Sequence, residues 1–485
     1  MMRTLPVGVE HEATRGLIGV TPLQQALVSV GGGRVQVLDP AWDTSRSEWF
    51  SVFGDERRQP GEWGHWTGRG MSWNAQCAAC HTTDFVKGYD PRDDSYRSAW
   101  RALGVGCESC HGAIGATHSR HDARWRGSVI GVCASCHARR EELTARFAPG
   151  ERFDDHYRLT LADAPGAYLP DGRASDEDFE YASLAMSAMG QRGVVCVDCH
   201  DPHSGALRAP IERDELCLTC HGEGARGAPV IRAEHSHHAA RSEGARCVNC
   251  HMPAATYMRR DRRRDHGFTA PDPLGARAVG AVDACGECHV GRDAEWSERA
   301  IRSWFGEPRR RHERDRTLLV AALSRGDELA VSALCSFVRG EENDAWRASI
   351  VAMLAPWSHR EDVRSVTRWA LRDRAPWVRA AAARAIAMSD GSLRGEVAPL
   401  RRDEVRAVRV EAAWAMRDDR RGEREARDDL ARFIDVTCDQ PAGALRRAEL
   451  ARVEGRAREA EVWRERAMRW DPSLSDASGA ARSPR

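Results

Sequence analysis

Seven times in 485 residues this chain repeats the five-residue pattern C-x-x-C-H. The copies are Cys77–Cys80–His81, Cys107–Cys110–His111, Cys133–Cys136–His137, Cys196–Cys199–His200, Cys217–Cys220–His221, Cys247–Cys250–His251 and Cys285–Cys288–His289. From the chain's own cysteine and histidine frequencies, chance supplies roughly 0.02 such matches, so the pattern is under chemical constraint. Two cysteines three residues apart lie on one side of a helical turn. Their sulfurs can form thioethers with the two vinyl groups of one haem, which places the next histidine under the iron as proximal ligand. Zinc ribbons need two C-x-x-C pairs per metal, and seven pairs leave one over. A thioredoxin-like motif is expected once, beside a βαβ pattern. The pattern therefore predicts seven haem c groups with iron.

The remaining cysteines, Cys335 and Cys438, sit in apolar helical stretches and read as buried small hydrophobes. Twelve histidines lie outside the motifs, and they decide what the irons do. Iron held by two histidines is six-coordinate and suited to electron transfer, whereas an open side binds small molecules. The candidate distal ligands are His65, His118, His156, His203, His266 and one or more of His235, His237 and His238, with His121 in reserve for His118. His312 and His359 lie beyond the last motif and read as structural.

Close motifs also constrain the fold. Cys77 to His289 is 213 residues for seven haems, too few for an ordinary side-chain core. The porphyrins are expected to be the core, wrapped by short helices and loops. Successive motifs begin 30, 26, 63, 21, 30 and 38 residues apart, and only the 63-residue step has room for an inserted subdomain, Glu142 to Val195. Arg259, Arg260, Arg262, Arg263 and Arg264 form a run that pairs with haem propionates or makes a solvated basic face. With 72 basic and 72 acidic residues the formal charge is zero, which excludes a generic basic nucleic-acid binder. Lys87 is the single lysine. No apolar run is long enough for a transmembrane helix, and the first twenty residues lack the apolar core of a signal peptide.

From about residue 301 alanine and arginine dominate and apolar residues follow a helical period. Asp373, Val378, Arg379 and Ala382 recur thirty residues later as Asp403, Val408, Arg409 and Ala412, with a weaker copy at Trp346, Arg347 and Ile350. This predicts HEAT-like helical repeats, with a plain helical bundle as the alternative. Gly455 to Pro472 reads as the second helix of a tetratricopeptide unit closing the array. The expected class is mainly α: residues 1–70 with short strands, 71–300 a haem-packed core of short helices and loops, 301–440 a HEAT-like solenoid, 441–475 a tetratricopeptide-like helix pair, and 476–485 a disordered tail.

With the motifs and their flanks in view, residues 20–305 resemble bacterial multihaem c-type cytochromes that join a haem core to C-terminal HEAT or tetratricopeptide repeats. Their cores are similar to those of the cytochrome c nitrite reductase and hydroxylamine oxidoreductase superfamily. The matching segments include TPLQQALV, HWTGRGMSWNAQCAACHTT, ERFDDHYRLTL, VVCVDCHDPHSGALRAP and TYMRRDRRRDHGF. The resemblance implies periplasmic or extracytoplasmic electron transfer, with His65, His118, His156, His203 and His266 as distal ligands. Members usually begin with an export signal and a further C-x-x-C-H before the TPLQQ segment. The chain shows neither, so a truncated N-terminus is expected. Nitrite reductases commonly carry lysine in the catalytic motif; all seven motifs here end in histidine, which weakens that assignment. The favoured function is electron carriage, with the repeats docking redox partner proteins. The alternative is an oxidoreductase acting on a small nitrogen or sulfur species at a five-coordinate haem.

Overall fold

The computed structural model describes residues 14–112, 123–175, 180–224, 232–281, 283–306, 311–389, 391–419 and 421–474. The chain is mainly helical, as expected. His118, His121 and the C-terminal tail from 475 lie outside the described residues.

An antiparallel sheet opens the described chain, in the order β1 (Thr14–Ile18), β2 (Leu23–Ser29), β3 (Val35–Asp43) and β4 (Glu48–Ser51). Alternation along β2 and β3 puts Leu27 and Val37 on one face, against Trp73 and Ala78 beside the first motif. Asn74 ties the sheet down: its side chain accepts from the Val35 amide at 2.8 Å and donates to Ser98 at 2.9 Å.

The C-terminal half is a two-layered array of helices. Asp344–Met353, Pro376–Ala387 and Arg406–Ala415 stand side by side as an inner row. Glu328–Phe337, Glu361–Ala370 and Arg424–Thr437 contribute to the outer row. The thirty-residue offset becomes a ladder of ion pairs, two joining successive inner segments and the last joining the final inner helix to the outer helix Arg424–Thr437. Arg347 grips Asp373 at 2.9 and 3.0 Å, and Arg379 grips Asp403 at 2.7 and 3.0 Å. Arg409 grips Asp429 at 2.7 Å. Pro441–Val453 and Ala457–Trp470 close the array as a packed pair around Ala444, Trp463 and Ala467.

The insertion of the long motif step packs on the inner row. One hydrophobic core runs without a break from Ala134, Leu143, Phe153, Tyr157 and Met186 into Trp346, Val378 and Val408. Gly172 lies flat on the Trp346 ring, where a Cβ would sit 2.6 Å from a ring carbon. Polar contacts stitch the same seam. Trp377 Nε1 donates to Asp154 at 2.7 Å, Asn343 donates to the Ala185 carbonyl at 3.1 Å, and Arg384 reaches Asp163 at 2.7 Å. Further along, Lys87 Nζ donates to the Val436 carbonyl at 2.5 Å and stands 3.2 Å from both Asp439 and Glu142. Burial alone would lower its pKa, but Asp439 and Glu142 outweigh that and raise it.

The arginine run occupies the hairpin Ala254–Tyr257/Asp261–Arg264 and finds protein partners. Arg260 pairs with Asp43 at 2.8 Å and Glu48 at 2.9 Å, joining the hairpin to the N-terminal sheet. Arg264 donates to the Val248 and Met252 carbonyls, both at 3.0 Å, at the C-terminal end of the sixth motif's helix. The protein partners found for Arg260 and Arg264 favour neither earlier reading of the run.

Candidate haem sites

Each motif is built as one turn of chain. Six lie in or at the ends of helices: Ala78–His81, Cys107–His111, Ala123–His137, Cys196–Cys199, Glu215–His221 and Cys247–His251. The seventh lies in a tight turn, where the His289 amide still donates to the Cys285 carbonyl at 2.8 Å. The same bond occurs from His81 to Cys77 at 3.0 Å and from His200 to Cys196 at 2.9 Å. Acidic side chains fix where several of these turns begin. Asp214, fully buried, accepts from the Cys247 amide at 2.9 Å. Asp283 accepts from Cys285 at 2.8 Å, and Asp198 from Val195 at 2.9 Å. These short polar anchors have no signature of their own in the sequence, because any loop aspartate looks alike before the fold is known.

Four motif histidines face a histidine from outside the motifs. The ring centres are 6.1 Å apart for His111 and His203, 6.4 Å for His200 and His266, 6.1 Å for His251 and His235, and 6.1 Å for His289 and His238. A metal–nitrogen bond of about 2.0 Å plus about 1.1 Å from nitrogen to ring centre, on each side, sets two axial imidazoles about 6.2 Å apart. A directly stacked pair is much closer: His237 lies on Trp304 at 4.7 Å with the rings 7° apart. The histidine cluster thus separates, with His235 and His238 facing motif histidines and His237 against tryptophan.

Several of these rings are held by their Nδ1 atoms. His266 Nδ1 lies 3.0 Å from the Arg264 carbonyl, His238 Nδ1 2.5 Å from the Ser236 carbonyl, and His251 Nδ1 3.0 Å from the Thr269 carbonyl. A carbonyl on Nδ1 requires the proton there and leaves the Nε2 lone pair for a metal. His156 has Nδ1 2.7 Å from the Arg146 carbonyl, and its Nε2 stands 3.0 Å from Glu151. His65 is buried beside Trp66, its Nδ1 2.7 Å from the Thr67 hydroxyl. Burial lowers the pKa of His81, His200 and His235, which favours the neutral, ligating ring. His137 differs: the Glu180 carboxylate 3.3 Å from its Nδ1 raises its pKa. Burial pushes Glu180 up, but the hydrogen bond from His137 overrides it and leaves Glu180 below its usual value. Glu180 was not legible in the sequence, since it lies 43 residues from the histidine it meets.

Thiols of neighbouring motifs also meet. Cys80 lies against Cys136, its Sγ 3.8 Å from the Cys136 carbonyl, and the thiols of Cys133 and Cys196, and of Cys217 and Cys247, are near neighbours. Cys110 lies near Cys136, Cys199 near Cys217 and Cys220, and Cys250 near Cys288. The motifs are therefore adjacent as first to third, second to third, and then in sequence order to the seventh.

The side-chain packing fits a large apolar prosthetic group. Among the described residues from 188 to 306, the buried apolar side chains are Val195, Val197, Ala245, Val248, Pro273 and Ala276. Beside the motifs, apolar side chains face outward: Leu103 is 62% exposed, Val105 63% and Val290 88%. A porphyrin at a motif would supply the apolar surface such a region otherwise lacks. Cys335 and Cys438 are buried, as expected, and His312 stacks on Phe337 and pairs with Glu341 at 3.1 Å.

Residues 58–112, with the first two motifs, match the family model of cytochrome c554 and c-prime. Residues 189–264, with the fourth, fifth and sixth, match that of cytochrome c3. No curated protein and no solved structure matches the chain. Two haem-protein families thus meet the chain on its C-x-x-C-H segments, and together they support a multihaem c-type cytochrome that works in electron transfer.

Proposed function

We propose that the chain carries electrons along seven covalently bound haems, one at each motif. Haem iron supplies the one-electron Fe(III)/Fe(II) couple. The protein supplies the second axial ligand, the spacing and the local charge. The observation that carries this reading is the facing of four motif histidines by His203, His266, His235 and His238 at 6.1 to 6.4 Å. Held between two such histidines, a haem would supply one-electron chemistry without an open side for substrate. His65, His118 and His156 complete the proposed distal set, as the family resemblance implies.

Motif adjacency gives the proposed route. Two branches, from the first and second motifs, join at the third, and one path continues to the seventh. Cys107, Cys110, Cys220 and Cys288 are exposed, so the second, fifth and seventh sites are the natural points of exchange with partner proteins. The inner row of the HEAT-like repeats is taken by the chain's own insertion, and a docking role falls to the outer row. No helix among the described residues is long and apolar enough to cross a membrane. Haem c attachment places the working protein outside the cytoplasm.

The test is expression with an export leader and the c-type cytochrome maturation system. A mass increase of seven haems, a Soret band and low-spin ferric spectra are expected. The mass of bare polypeptide overturns the reading, and a stoichiometric high-spin ferric haem that binds nitrite or hydroxylamine replaces it with the oxidoreductase alternative.

A further inference from the structure

Glu180 opens the helix Glu180–Met186, which packs on the helix carrying the third motif and on the inner repeat helix Asp344–Met353. Its carboxylate lies 3.3 Å from Nδ1 of His137, the third motif's histidine. Arg263, His200 and His266 feel the same charge. Glu180 therefore stands beside the third site and the His200–His266 pair of the fourth, where Cys133 and Cys196 bring the two motifs together.

The far nitrogen of His137 meets an anion, while that of His251 meets the neutral Thr269 carbonyl at 3.0 Å. A carboxylate on Nδ1 draws the ring proton toward itself and makes Nε2 a stronger donor. Stronger donation and a nearby negative charge both favour Fe(III) over Fe(II). We propose that Glu180 is a positioning residue that lowers the reduction potential of the haem at the third motif, the junction where the two branches join. The proposal rests on the reading that haem c is bound there with His137 as its proximal ligand.

Glu180→Gln keeps the size and an oxygen acceptor for Nδ1 and removes the charge. The measurement is a redox titration of fully loaded holoprotein, followed by visible absorbance and by the low-spin EPR signals. In Glu180→Gln one transition is expected to move positive by about tenfold in its Fe(III)/Fe(II) equilibrium, about 59 mV for one electron. Glu180→Asp, which keeps the charge, is expected to stay at the wild-type value. Seven haems with every midpoint unchanged in Glu180→Gln overturns the proposal and leaves haem attachment standing. An equal shift in both variants marks a packing effect and also overturns it. Peptide mass mapping that finds no haem on Cys133 and Cys136 in the wild-type protein overturns the underlying reading instead.

Discussion

Arg379 holds Asp403 with two hydrogen bonds, from Nε at 2.7 Å and from Nη2 at 3.0 Å, across the boundary between successive inner helices. The remaining Nη1 donates to the carbonyls of Asp373 and Arg374, at 2.9 and 3.0 Å, so one guanidinium satisfies a carboxylate and the preceding turn together. Asp403 in turn accepts from the Val405 amide at 2.9 Å and fixes the start of the next helix. Removing one partner of a buried pair leaves the other charge unsolvated, so Arg379→Ala is expected to cost about 3 kcal/mol. Arg379→Lys, a point charge unable to bond bidentately, is expected to recover only part of it. Urea unfolding followed by far-UV circular dichroism measures both.

Lys87 is a second pinned charge, and it joins the segment after the first motif to the last helices. Its amine stands 3.2 Å from Asp439, itself almost fully buried, and from Glu142. Lys87→Met keeps the length of the side chain and leaves two carboxylates facing each other. A loss of about 3 to 5 kcal/mol is expected. Because the contact crosses from residue 87 to the array's end, the Soret band and the helical signal are expected to melt together at a lower temperature. A melt that loses helix first and leaves the haem signal in place contradicts the link.

Asp154 gives a pH dependence of definite sign. Burial pushes its pKa up to about 6, with the Trp377 hydrogen bond working against that and neighbouring Asp155 adding to it. The folded pKa lies above the unfolded value of about 3.9, so the neutral carboxyl contributes stability in full below about pH 4, and this is lost as pH rises through about 6. Asp154→Asn keeps an acceptor for Trp377 Nε1 without the charge. It is expected to match the wild type near pH 4 and to exceed it by about 3 kcal/mol at pH 8, read from paired denaturation curves.

The histidine geometry predicts different outcomes for near neighbours. His238→Ala and His203→Ala are each expected to convert one low-spin ferric haem to high-spin with the haem count unchanged. His237→Ala, which removes a ring stacked on Trp304 rather than one facing a motif histidine, is expected to leave the ferric spectrum as it was. EPR of the three oxidised variants checks this, and a new high-spin signal in His237→Ala refutes the assignment within the cluster.

The covalent chemistry was written in the sequence because it is local. A thioether pair and a proximal ligand need only one helical turn, so the proposed haem sites could be read from C-x-x-C-H alone. The helical array was legible for a similar reason: Asp373 and Arg379 recur at a fixed offset as Asp403 and Arg409. The distal ligands were less legible. His203 and His111 are 92 positions apart and His266 and His200 are 66 apart, and no local pattern marks one loop histidine over another. In the run at 235 to 238 the sequence left three candidates level, and the fold separated them by turning His237 onto Trp304.

The sequence by itself determined the helical period of the second half and the C-x-x-C-H pattern on which the proposed haem chemistry rests, since both depend on contacts within a few residues. Only the tertiary structure decided which histidines face one another, that Glu180 stands behind His137, and that the array's inner row is packed by Leu143, Phe153, Tyr157 and Met186. The insertion's place depends on one hydrophobic core shared by distant segments, and the histidine pairings on loops far apart in the chain; neither leaves a short-range signal to read.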